Sequence, residues 1–262
     1  MAGRFGANVG LGGAPSGEDR IVLNLVISED YNHPGGIQIV DSVLAVPLED
    51  GVHSKVVFYD VGNPEAPKKL AAEIIRRNRM AGSIAICKPA ADSDDYLIIV
   101  KDSDLNLDVY LSSGTDLESA TFELQDRWSP NKLKSEIDGD FIFGDYQNIN
   151  LIRDRDGQIY LVGLHNNTRR PLRLFSSDYA DLFRVEFGGD GQLNLIKIAK
   201  KSFICKTSFF GDRFCNFDAG AGVYLDPKGD LIIYAVELEP ANGMVQFVEF
   251  SRRRSQSSTR KR

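Results

Sequence analysis

Two hundred and sixty-two residues, 42% hydrophobic and 26% charged, can bury the core of one large domain and are too apolar for an intrinsically disordered chain. The net charge of −6 is uneven: the last twelve residues hold six basic groups and no acid, which leaves 25 basic against 37 acidic residues in the body. So acidic a body argues against nucleic-acid binding by the main domain, and no run approaches the roughly 18 apolar residues of a membrane span.

The first residues, Met1 to Gly6, lack the apolar stretch of a signal peptide, which favours a cytoplasmic setting. Residues 1–19 read as an extension. Arg20 to Ile27 alternates as an orphan strand ahead of the first repeat. Four times the chain then runs through an inner strand, an apolar run ending in polar residues, and a further apolar run. The inner strands are Gly36–Val40, Ser83–Cys87, Asn148–Ile152 and Ala221–Leu225. The second strands are Val43–Glu49, Tyr96–Asp102, Gln158–Gly163 and Asp230–Glu237. The third are Lys55–Asp60, Leu107–Leu111, Leu172–Phe175 and Met244–Phe250. Outer strands follow in three repeats only, at Leu70–Ile75, Ala120–Leu124 and Gln192–Ile198. A recurrence of this kind defines a repeat architecture. The expected fold is all-β: a β-propeller of four four-stranded blades, with five the alternative. Residues 20–27 are expected to supply the missing strand of the last blade and close the ring, which removes exposed sheet edges. The domain spans residues 20–250, and residues 251–262 form a disordered basic tail.

Equivalent positions Leu44, Leu97, Tyr160 and Leu231 lie 53, 63 and 71 residues apart, so the repeats grow through their loops. Turns such as Asp154–Gly157 and Asp226–Gly229 are tight, whereas 126–146 and 199–218 are long. One face is therefore smooth and the other carries the loops, where binding residues are commonly placed.

The segment Ser54 to Pro67, with Asp60-Val61 before Asn63-Pro64 and Pro67, resembles the strand-and-turn of bacterial LVIVD-type β-propeller repeats. The match covers one blade; the others share only the strand rhythm. The resemblance implies a propeller in a bacterial, surface or secreted context and carries over no catalytic residue.

Three segments approach inner strands: Tyr31 to Gln38, Asp145 to Asn148 and Asn216 to Gly220. They should ring the channel mouth, with Gly35, Gly36 and Gly220 fitting close backbone approach at the axis. His33, Gln147, Asn148 and Asp218 then either bind a ligand there or, with water, satisfy buried backbone. His165, Asn166 and Arg169 form a second polar set that suits a sugar hydroxyl or a carboxylate, or is a solvated loop. Asp102 to Asp108 spaces oxygens like a calcium loop but lacks the central Gly and distal Glu, and reads as an acidic hairpin. His33, His53 and His165 are scattered loop residues rather than a metal set. Cys205 and Cys215 are expected as free buried thiols, with a disulfide the alternative. No nucleophile or phosphate-loop motif occurs. The expected function is non-enzymatic: a ligand-binding or interaction module taking a small ligand, glycan or protein at its loop-rich face, without cofactor or metal. An enzyme at the channel mouth, a metal-assisted hydrolase or lyase, is the alternative, and a lectin a further one.

Overall fold

The computed structural model describes residues 31, 33–139, 142–166, 178–203, 205, 215–236 and 247–251. Residues 20–27, the Leu172–Phe175 run, Arg169 and the tail from 252 onward lie outside them. Four antiparallel sheets follow one another along the chain as the blades of a β-propeller. Blade one holds β1 (His33–Pro34), β2 (Gln38–Val40), β3 (Val43–Glu49), β4 (Ser54–Asp60) and β5 (Lys68–Arg76). Blade two holds β6 (Ser83–Cys87), β7 (Leu97–Lys101), β8 (Leu107–Ser112) and β9 (Phe122–Trp128). A two-residue strand, β10 (Lys134–Ser135), then lies parallel on the outer edge of blade three. That blade is β11 (Asn148–Arg153), β12 (Ile159–Asn166), β13 (Asp178–Phe187) and β14 (Leu193–Phe203). Blade four shows β15 (Ala221–Leu225), β16 (Leu231–Val236) and β17 (Phe247–Phe250).

Strand alternation builds the core. On β7, Ile98 and Val100 enter the cluster shared with blade one, while Leu97 and Ile99 enter the cluster shared with blade three. Each central strand is thus apolar on both faces, as the continuous runs in the sequence require. A third cluster, including Phe217 and Ile233, joins blades three and four. The faces between blades four and one are different: Ile39 and Tyr224, on the two inner strands, stay 53% and 50% exposed.

Blade three corrects the strand assignment. Its third strand is Asp178–Phe187, paired along its length with β12 and β14, and not Leu172–Phe175. The cysteines are a second correction: Cys205 and Cys215 form a disulfide that ties the end of blade three to the approach of blade four. Cys87 is free and buried, and burial pushes its thiol up to about 12, so it is inert.

Turns at the smooth end repeat one device. Asp154 Oδ1 accepts from the N–H of Asp156 and Gln158, and Asp226 Oδ1 from Lys228 and Asp230. Gly157 and Gly229 close these turns at φ 88° and 85°, a region that favours glycine. The two turns are neighbours, since Arg155 donates to the Pro227 carbonyl at 2.8 Å. The β3–β4 and β7–β8 connections lie at the opposite end.

Candidate functional site, a cup at the channel mouth

The inner strand of blade one is broken by a bulge. Pro34 pairs with Leu48 and Gln38 with Ala45, so three residues, 35 to 37, face two. The extra residue pushes Gly35-Gly36 toward the axis. Gly36 N–H donates to the Gly82 carbonyl and its own carbonyl accepts from Ile84 N–H, both at 3.0 Å. There is no room for a side chain: a Cβ on Gly36 would stand 2.3 Å from the Gln147 carbonyl oxygen, and one on Gly35 2.3 Å from that of Gly82. Below them Gln38 bridges the inner strands. Its Oε1 accepts from Ile86 and Leu151 N–H at 2.9 Å each, and its Nε2 donates to the Leu151 carbonyl at 2.7 Å. One side chain thus hydrogen-bonds the inner strands of two other blades.

Above this crosspiece lies a cavity of about 600 Å³ to which all four blades contribute. His33 and Glu49 come from blade one, Lys101 and Asp102 from blade two, Asp145 and Gln147 from blade three and Asp218 from blade four. Glu49 and Lys101 end equivalent second strands, where long apolar runs stop at a polar residue.

Two base–carboxylate pairs set the wall. His33 Nδ1 meets Glu49 Oε1 at 3.0 Å, and Glu49 Oε2 accepts from Ala81 N–H at 2.8 Å. Lys101, 4% exposed, donates to Asp145 Oδ1 at 2.8 Å. The carboxylate of Asp102 caps its own hairpin, accepting from the N–H of Asp104 and Asn106. It therefore serves the turn in the way an acidic hairpin requires.

Asp218 is held differently. Its Oδ1 accepts from Asn166 N–H at 2.8 Å, and its own N–H donates to the Asn216 side chain. The preceding Phe217 is fully buried, and its N–H donates to Asp178 Oδ1, which also accepts from Asn166 Nδ2 at 2.7 Å. Desolvation raises the Asp218 carboxyl above the usual aspartate range, and nearby Asp178 and Asp145 add to the rise against the pull of His165.

The remaining sequence candidates divide. Gln147 and Asn148 line the cavity, but Asn148 is buried and stitches blades together. Its Nδ2 donates to the Phe217 carbonyl at 3.3 Å; with amide oxygen and nitrogen exchanged it would pair with both backbone groups of Ala221. Asn166 supports Asp218 from behind. His165 lies outside the cavity lining, stacked on Tyr179 and edge-on to Tyr146. Arg169 lies outside the described residues. The three histidines do not converge: His33 turns to Glu49, His53 to Asp50 and His165 to Asp181. Among the described residues no three His, Cys, Asp or Glu side chains gather to hold a metal.

Sequence reasoning missed Glu49 and Lys101, although a polar residue closing each apolar run was the available signal, and it placed the Asp145 segment at the mouth without singling out Asp145 itself. It also missed the buried group behind the wall. Asp181 Oδ2 accepts from Tyr146 at 2.6 Å and lies 2.9 Å from Lys197 Nζ, and Lys197 donates to the Ile142 carbonyl. Burial pushes the Asp181 carboxyl up, but the nearby His165 ring, 3.6 Å away, and the close contacts with Tyr146 and Lys197 hold it below its usual range. Tyr146 lies against Gly163, where a Cβ would come 2.6 Å from the ring. This packing fixes the segment that carries Asp145 and Gln147.

No family model matches the chain, and no curated protein matches it. Among solved structures it is similar to a mutant of the Bombyx mori GH32 beta-fructofuranosidase BmSUC1 in complex with sucrose. The identity is 12% and the TM-score 0.44, over 84% of this chain and 46% of that one, so the chain spans about half the length of that protein. Among the described residues no helix is long and apolar enough to cross a membrane.

Proposed function

We propose that the chain is a ligand-binding β-propeller that receives a small molecule in the cup at its loop-rich face. The observation that carries this reading is the convergence of side chains from all four blades on one cavity of about 600 Å³, within the usual range for small-molecule sites. His33, Gln147 and Asp218 present polar groups to the ligand, while Asn148 and Asn166 hold the wall. The Asn63-Pro64 turn of blade one supports kinship with LVIVD-type propellers. The test is a thermal-shift and NMR screen of metabolites and glycans, repeated with Ser103→Trp, which places a bulky ring at the rim. Ligands whose binding is lost in that variant support the reading. An empty screen, or hits indifferent to the variant, would refute it.

A second reading, an enzyme at the same mouth, is favoured by one observation: Asp218 shares the cavity with Glu49, Asp102 and Asp145, and crowded acids raise the proton affinity of one another, as suits a general acid. Product formation from a bound ligand, lost in Asp218→Asn, separates it from a binding module.

A further inference from the structure

We infer that the cup selects a small organic cation, an aliphatic ammonium or guanidinium, over neutral or anionic molecules of the same size. The inference rests on the cup being a ligand site and names the class of ligand it takes.

The argument begins with the charges in the wall. Among the described residues four carboxylates line the cavity, at Glu49, Asp102, Asp145 and Asp218, against one lysine and one histidine. Both basic groups are already matched, Lys101 by Asp145 and His33 by Glu49. Asp102 is engaged by the amides of its own hairpin. Asp218 is left with the Asn166 N–H on one oxygen, and no ion pair to it is formed among the described residues. A neutral hydroxyl would give Asp218 a hydrogen bond, but an ammonium gives it a hydrogen bond and the missing counter-charge. Such charge-assisted bonds are roughly twice as strong as neutral ones.

Shape points the same way. Glu49 and Asp102 are buried in the wall while Asp145 and Asp218 stand exposed at the cavity, and such a gathering of acids focuses a negative potential at the mouth. An anion entering it would face Asp218 with no unmatched base to meet among the described lining residues. The lining also includes Met80 and Ile37, the latter 46% exposed, as apolar surface for a short methylene chain. Among the described residues it includes no aromatic ring on which a sugar would stack.

The experiment compares three four-carbon probes with different ends: 1,4-diaminobutane, 1,4-butanediol and succinate. Each is titrated by calorimetry and by NMR of the Gln147 side-chain amide at two salt concentrations. The diamine should bind at least tenfold tighter than the diol, weaken as salt rises and lose at least tenfold in Asp218→Asn, while succinate should not bind. A thermal melt of the variant shows that it is folded. If the diol or a sugar binds in the cup as well as the diamine, and Asp218→Asn changes neither, the cation inference falls while the ligand site stands. If neither these probes nor the wider screen perturbs the cup, both fall.

Discussion

Arg76 and Asp108, each about 1% exposed, meet at 2.9 Å across the seam between blades one and two. Arg79 joins them at 2.6 Å. Burial pushes the Asp108 carboxyl up, but the bonds from Arg79 and Arg76 outweigh it and hold the group below its ordinary range. An acid depressed in the folded state adds stability above its unfolded value, and that stability fades as pH falls through the folded value. Asp108→Asn leaves a buried guanidinium without its counter-charge and should lose about 3–5 kcal/mol at neutral pH. Urea unfolding should show that gap narrowing in acid, where the wild-type carboxyl itself becomes neutral. A gap independent of pH would mean that packing, not charge, is lost.

The axial glycines give a paired test. Gly36→Ala forces a Cβ to within 2.3 Å of a backbone oxygen and should destabilise by about 1–3 kcal/mol or more. Gly222→Ala, on the inner strand of blade four, meets nothing within 4 Å and should be neutral or mildly stabilising. Thermal melts of the two variants check this directly.

Asp218 works against the fold. A carboxyl raised in the folded state disfavours its ionised form, so its cost to stability is present above the folded value and disappears as pH falls below it. Asp218→Asn keeps an acceptor for Asn166 N–H and should raise stability at neutral pH by a few tenths of a kcal/mol, the scale for a solvated site. The gain should vanish in acid. Melting the pair at neutral and at acidic pH reads both signs.

The fourth blade yields another expectation. β17 pairs with β16 on one side, and no described strand lies on its other side. If residues 20–27 complete that blade, a chain lacking residues 1–27 will aggregate or melt far lower, because open strand edges recruit other chains. A truncated protein as stable as the full chain would end the closure proposal.

Most of the architecture was legible because central strands sandwiched between blades must be apolar on both faces, and those runs stand out. Blade three was misread at β13 for a physical reason. Asp178 and Asp181 occupy fully buried positions on that strand, where alternation would place apolar residues. Their partners, Asn166, Tyr146 and Lys197, lie far along the chain, and pairing at that range leaves no local trace. The channel-mouth residues His33, Gln147 and Asp218 could be placed because glycines and turns mark the axis. Glu49 and Lys101 were passed over because a charge ending a strand usually faces solvent. The disulfide was hidden because two cysteines ten residues apart fit pairing and freedom equally well.

The bond pattern of Gln38 has a consequence for any molecule held above it. If this crosspiece stops the axis, arrival and departure share one doorway, and the last part to enter must be the first to leave. The inward end of the guest can carry nothing bulky, whereas its outward end can be extended without limit. A guest fixed to a solid support would therefore be captured when tethered by one end and ignored when tethered by the other. That difference would tell which end faces the floor before any complex had been seen.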